Sequence, residues 1–185
     1  DITTRLVGSE MCIRDRNGKA AFPNAVVRAG QQDADFWLSE SRLKQAPPKE
    51  KASFENVIAA LKPYQAAGHF KTFSNDGELS PGISAFAAHG HTPGHSIYLV
   101  ESQGKKLLLL GDLIHVAAVQ FAHPRVAISF DKDAKAAVAQ RLRVFSDSAQ
   151  RSVLVGGPHL SFPGLGYLNK QGEGYDWVPL EYGAM

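Results

Sequence analysis

The apolar positions of this chain change period repeatedly, between the short runs and alternation of strands and the three- and four-residue spacing of helices. Residues 25–29 read as a short strand. Residues 31–43 follow as one helix with Ala34, Trp37, Leu38 and Ser41 on its inner face. Phe36 and Trp37 are adjacent there and cannot share that face, which leaves one of them for a pocket or a partner. Residues 46–51, with Pro47 and Pro48 followed by three charged side chains, read as a stiff solvated loop. A second helix is capped near Ser53, carries Phe54, Val57, Ile58 and Leu61 at helical spacing, bends at Pro63 and stops at Gly68. Phe70–Phe73, residues 83–88, 96–100 and 106–110 read as strands, with Ser102, Gln103 and Gly104 making a hairpin between the last two. Leu107 to Leu110 show no alternation, the mark of a strand buried on both faces. Residues 133–150 form the clearest helix, with Ala134, Val138, Leu142, Phe145 and Ala149 inward and Asp131 or Asp133 as its cap. Residues 153–155 and 175–179 complete the strands. The pattern predicts an α+β chain, with mixed sheets covered by helices.

Composition narrows the setting. With 185 residues and 44% hydrophobic content, the chain can bury the core of one domain. The formal net charge is +2 and no Lys/Arg stripe forms, so nucleic acid is not expected as a partner. No apolar run approaches the roughly 18 residues of a membrane span, and no membrane partner is expected. Cys12 is the single cysteine, which excludes an internal disulfide and leaves periplasm and cytoplasm equally open.

The chemistry sits in three Gly/Pro-rich turns, each at the exit of a strand-like run. They are Ala88-His89-Gly90-His91-Thr92-Pro93-Gly94-His95-Ser96, then Leu110-Gly111-Asp112-Leu113-Ile114-His115, then Gly156-Gly157-Pro158-His159-Leu160. Imidazole and carboxylate suit zinc and similar ions. Strand exits on one sheet edge are where such proteins build sites, so His91, Asp112 and His159 can converge on one pocket. Asp112 ends a Leu-rich strand, where a carboxylate is costly unless a metal, a lysine or water meets it. Taken singly, such an Asp is a turn residue and such a His a hydrogen-bonded one; the joint occurrence favours metal ligation. His115 can line the pocket near Asp112 or pack beneath it. Phe162, with Leu165 and Trp177, can form an apolar substrate wall or belong to the core.

These turns, with Pro158-His159-Leu160-Ser161-Phe162-Pro163-Gly164, resemble the later metal-binding motifs of the metallo-β-lactamase-fold hydrolases, in the branch of lactonases and organophosphate-degrading enzymes. The resemblance implies an αββα sandwich, of which this chain holds roughly the C-terminal two-thirds. It implies His91 as a ligand, Asp112 as a bridge between two metals and also the catalytic carboxylate, and His159 as the closing ligand of the second metal. His95 would brace the turn or the ligand from behind. Two zinc ions are expected in the intact parent, other divalent metals being possible. A hydroxide held by them would attack a lactone, another ester or a phosphotriester, so the expected partner is a small ester-like molecule.

One departure matters. The family's first motif, His-x-His-x-Asp-His, belongs upstream of Asn17, and no histidine precedes His69. Residues 1–16, with Leu6-Val7-Gly8-Ser9-Glu10-Met11-Cys12-Ile13-Arg14-Asp15-Arg16, resemble translated sequencing-adapter DNA, so they are set aside as non-native. Residues 17–185 are then expected to be a partial hydrolase domain. Lacking the first motif, the chain by itself is expected to be catalytically silent, binding at most one metal weakly.

Overall fold

The computed structural model describes Ile13, residues 18–74 and residues 76–181. The boundary drawn at Asn17 and nearly all of the adapter-like segment therefore lie outside the described residues. The chain divides into two compact units, Asp1–Ser74 and Asn75–Met185.

In the first unit, β1 (Val27–Gly30) leads through α1 (Gln31–Trp37), α2 (Glu40–Gln45) and α3 (Pro48–Ala66) into β2 (Phe70–Phe73), which pairs parallel with β1. A parallel pair needs a long crossover, and the three helices supply it. The single helix expected over residues 31–43 is two. The Ser39 hydroxyl accepts the Arg42 backbone N–H at 3.3 Å, so it caps a new helix instead of continuing the old one. Ser41 consequently faces solvent. The expected loop at residues 46–51 is a second correction, because Pro48 opens α3. Proline in a helix's first turn loses no hydrogen bond, and its fixed φ suits the entry.

Trp37, Phe54, Val57, Leu61 and Tyr64 form the core of this unit. Phe36 does not turn away toward a pocket. Its ring meets Trp37 edge-on at 4.9 Å, and both rings lie against Phe54, flanking it from adjacent positions.

The second unit is a seven-stranded sheet. Its strands are β3 (Gly77–Ser80), β4 (Ile83–Ala87), β5 (Ser96–Ser102), β6 (Lys105–Leu109), β7 (Leu154–Gly156), β8 (Leu165–Gln171) and β9 (Gly174–Pro179), neighbours in that order. All pairs are antiparallel except β6 with β7. The crossover between those two carries α4 (Ala117–Gln120) and α5 (Ala134–Gln150). Gln103 and Gly104 both adopt positive φ in the β5–β6 hairpin, as a tight two-residue turn requires. Ile97, Leu110, Ile114, Phe121, Phe145, Val155, Leu168 and Tyr175 make the core. Within the described residues, no helix is long and apolar enough to cross a membrane.

Two expectations change here. Leu107 to Leu109 are half-buried, with Leu108 against the core, and only Leu110 of the run is fully enclosed; alternation along the strand sends neighbouring side chains to opposite faces. The inner stripe of α5 is Ala137, Arg141, Val144, Phe145 and Ser148, while Ala134 is exposed. The apolar pattern missed this because a fully buried arginine stands at its centre. Trp177 stacks on Phe121 at 5.1 Å and packs against the core, the second of the two uses the sequence left open, while half-buried Leu165 opens β8.

The topology also decides where the three Gly/Pro turns go. β4 and β6 both run antiparallel to β5, and β7 runs parallel to β6. The C-terminal ends of β4, β6 and β7 therefore leave the sheet at the same edge.

Candidate metal centre

His91 stands in the turn after β4, Asp112 in the 3-10 turn Gly111–Leu113 after β6, and His159 in the loop after β7. Their side chains meet. His91 Nε2 lies 3.5 Å from Asp112 Oδ2, and His159 Nε2 lies 3.3 Å from Asp112 Oδ1. His115 joins them, with one ligand atom each from His91, Asp112 and His115 lying within 4.8 Å of one another. Its ring is tilted toward His91 at 4.7 Å and stacked on His159 at 4.5 Å. His91 and Asp112 are buried, whereas His159 is 42% exposed and His115 half-buried, so the cluster opens to solvent on the His159 side.

The residues fit a cation. Asp112 Oδ1 is buried and accepts no hydrogen bond, an expensive state for a carboxylate oxygen unless a positive charge meets it. Donors about 2.0–2.1 Å from a tetrahedral zinc stand roughly 3.3 Å from one another. The 3.5 and 3.3 Å separations around Asp112 match that spacing.

Local structure holds each donor. His95 Nδ1 donates to the Ala88 carbonyl at 2.9 Å, and its Nε2 accepts the Asp112 backbone N–H at 2.9 Å. That pairing ties the turn after β4 to the turn after β6 and leaves His95 no lone pair for a metal. Burial lowers the pKa of His95, further lowered by His91 and only partly opposed by the Ala88 carbonyl, which keeps the ring in the neutral form the pairing needs. Gly111 makes the approach possible: its φ is +56°, and a Cβ there would stand 2.7 Å from His95 Nε2. A Cβ on Gly90 would collide with the Ala137 backbone, so the His91 turn lies directly on the first turn of α5.

Three residues that the sequence does not connect to the site, Asp131, Arg141 and Gln120, organise it from behind. Asp131 Oδ1 pairs with His91 Nδ1 at 3.1 Å. Asp131 is not the helix cap; Asp133 is, accepting the Ala136 N–H at 2.9 Å. Burial opposes ionisation of Asp131, but the His91 hydrogen bond, the Ile128 N–H and the Arg141 charge outweigh it and hold its carboxyl below the ordinary value.

Arg141 is fully buried, donating from Nε to Leu113 O at 2.7 Å and from Nη1 to Pro124 O at 3.0 Å and Val126 O at 2.8 Å. Its Nη2 lies 3.9 Å from Asp131 Oδ2. Gln120, also buried, accepts the His115 and Val116 N–H groups on Oε1 and donates to Val126 O. Nothing in the sequence marks these polar side chains as interior, because an interior Arg or Gln looks like a solvated one until its carbonyl partners are placed.

His115 is pushed down to about 4, by burial first and then by the neighbouring His91 and His159 imidazoles. It is therefore neutral at ordinary pH and able to donate a lone pair. Phe162 lies three positions beyond His159 and is 82% exposed.

No family model matches the chain, and no curated protein does. Solved structures do. A hydrolase of the β-lactamase superfamily, AbOPH, is 34% identical with a TM-score of 0.85, over 93% of this chain and 60% of that one. AidC, a dizinc quorum-quenching lactonase solved with the product N-hexanoyl-L-homoserine, is 28% identical with a TM-score of 0.83 and the same coverage. A probable metal-dependent hydrolase from Staphylococcus aureus, at 21% identity and a TM-score of 0.70, shares the fold. This chain spans about 60% of the length of the first two.

Proposed function

Because this chain has the metallo-β-lactamase fold and is similar over most of its length to hydrolases of the lactonase and organophosphate-hydrolase-like branch, we propose that its buried cluster is part of a zinc-type hydrolytic centre. The observation that carries the reading is the Asp112 carboxylate, buried, with an imidazole nitrogen against each oxygen and a third imidazole beside it. His91, Asp112 and His159 would hold the ion, with His115 as a further donor. A bound divalent ion lowers the pKa of a water toward about 7 and polarises a carbonyl or phosphoryl oxygen.

The chain's own residues do the rest. Asp112 offsets cationic charge and, where two ions are present, stands between them. His95 holds the Asp112 backbone N–H and so fixes the main chain from which the carboxylate projects. Val116, next to His115 in sequence, and Phe162, three positions beyond His159, are exposed and give the loops apolar surface. Such surface suits the acyl or aryl part of an uncharged ester-like molecule. The substrate classes proposed are lactones, other esters and phosphotriesters, with acyl lactones first because AidC was solved with an N-hexanoyl-homoserine product.

Two ions and turnover are proposed for a protein in which a His-x-His-x-Asp-His motif accompanies this chain. For residues 1–185 alone, the reading is one weakly held ion and no turnover.

The test compares the zinc-loaded chain with a chimera that adds, upstream of Asn17, a segment carrying His-x-His-x-Asp-His, using lactone, aryl-ester and phosphotriester substrates. The expected result is a silent chain and an active, chelator-sensitive chimera that loses at least about tenfold in activity with Asp112→Ala. Multiple turnovers by the chain alone would overturn its proposed silence. A zinc-loaded chimera that is inactive, or as active without Asp112, would overturn the hydrolytic reading.

A further inference from the structure

His91 has two ring nitrogens, and only the one without a proton can face a cation or accept a hydrogen bond. In this fold Nε2 points at Asp112 and Nδ1 at Asp131. An ionised carboxylate accepts and never donates, so the ring nitrogen in hydrogen-bond contact with one carries the proton; that contact is the 3.1 Å approach of Nδ1 to Asp131, whereas Nε2 stands farther, at 3.5 Å, from Asp112. The Asp131 side chain is fully enclosed and His91 is 4% exposed, which leaves little room for water to substitute.

The surrounding backbone holds the two residues together. The Lys132 N–H donates to the His91 carbonyl at 3.1 Å and the Asp133 N–H to the Gly90 carbonyl at 2.8 Å, so residues 131–133 are zipped onto the His91 turn. The Ile128 N–H occupies the second oxygen of Asp131 at 3.2 Å. On the far side stands Arg141, whose remaining donors hold the Leu113 carbonyl, one residue beyond Asp112, and two carbonyls of the following loop. One buried guanidinium thus touches both the residue that steers His91 and the turn that carries Asp112.

We infer that Asp131 is a positioning residue that locks His91 as the Nδ1–H tautomer with Nε2 free toward Asp112, and that Arg141 holds Asp131 in register with the Asp112 turn. The metal consequence rests on the zinc reading above; the tautomer itself does not. Carboxylate partners of ligating histidines orient the ring, and losing them weakens metal binding by about 10–100-fold.

The experiment reads both quantities on the full 185-residue chain. Long-range 15N–1H NMR of the metal-free protein, with the His91 signals assigned by their loss in His91→Ala, reports the tautomer. Zinc competition against a chromophoric chelator reports affinity. Asp131→Ala is expected to let the Nε2–H tautomer of His91 appear and to weaken zinc by about 10–100-fold. Asp131→Asn keeps the shape if the alanine variant does not fold; its amide can face Nδ1 with either oxygen or nitrogen, so it too should yield both tautomers.

A single, unchanged Nδ1–H tautomer in the folded variants would overturn the assignment, since a merely structural Asp131 would alter stability alone. So would an affinity that falls with His91→Ala and stays within twofold with Asp131→Ala. A tautomer that responds to Asp131 while zinc ignores His91→Ala would sink the metal reading and leave the positioning role standing.

Discussion

Replacing Arg141 with methionine removes a fully buried charge of the second unit while keeping much of its stem. The side chain is fully buried and satisfies the carbonyls of Leu113, Pro124 and Val126. Val126 O retains the Gln120 amide as a donor at 3.0 Å, so the loss falls on the Leu113 and Pro124 carbonyls and on Asp131. A buried acceptor stripped of its donor costs about 1–3 kcal/mol, and breaking one side of a buried ion pair about 3–5 kcal/mol. These terms overlap, and relief of the guanidinium's own desolvation offsets part of them. The expected net loss is about 4 kcal/mol, a large share of a domain's stability. Urea unfolding of the metal-free protein in chelator measures it as a fall in midpoint at unchanged slope. Arg143→Met, on the exposed side of the same helix, is the control and should stay within about 0.5 kcal/mol. A loss below about 1 kcal/mol for Arg141→Met would refute the reasoning, because desolvation would then have cancelled the hydrogen bonds.

Other outcomes follow from the same contacts. Gly111→Ala combines a φ of +56° with a 2.7 Å approach to His95 Nε2, so it should cost about 1–3 kcal/mol and loosen the Asp112 turn; an unchanged thermal midpoint would contradict this. Metal-free stability should be flat above about pH 6.5 and fall as pH drops toward 4. His115, held to about 4 by burial and by His91 and His159, and His95, likewise lowered, take up protons in the unfolded chain before they do so in the folded one. Asp112 and Asp131, facing His115, temper this, and Asp131, itself lowered, loses its contribution only in more acid solution. His115→Asn should flatten the acid limb of a denaturant-midpoint series, and an unaltered limb would count against the burial argument.

The sequence reading reached the fold through features that repeat locally. Strand runs ending in Gly/Pro turns were legible because glycine, proline and short apolar runs act within a few residues, and β2 and the core of α3 sit where the spacing put them. β3 and β8 were not legible. β3 is four residues with one apolar side chain, and β8 ends in Asn169, Lys170 and Gln171, so neither shows a strand's pattern; their partners define them. The break at Ser39 turned on a side-chain hydrogen bond that competes with the helix.

At the site, the turns holding His91, Asp112 and His159 could be picked out, because their residue types and strand exits are local facts. Their support could not. Asp131 reads as a cap and Arg141 as a solvated residue until the fold brings His91 and the Leu113 carbonyl to them. His115 entered the tightest part of the cluster because Gln120 holds its backbone, a contact across a turn that spacing alone does not specify.

The central claim is that Asp112 and the imidazoles around it hold a divalent ion, and zinc binding by the purified chain tests it most directly. Metal-free protein, His91→Ala and Asp112→Ala would each be titrated with zinc against a chromophoric chelator. The account predicts one zinc per chain, with affinity reduced at least about tenfold in either variant. A chain that takes up no zinc, or one whose affinity is the same with and without His91 and Asp112, would contradict it.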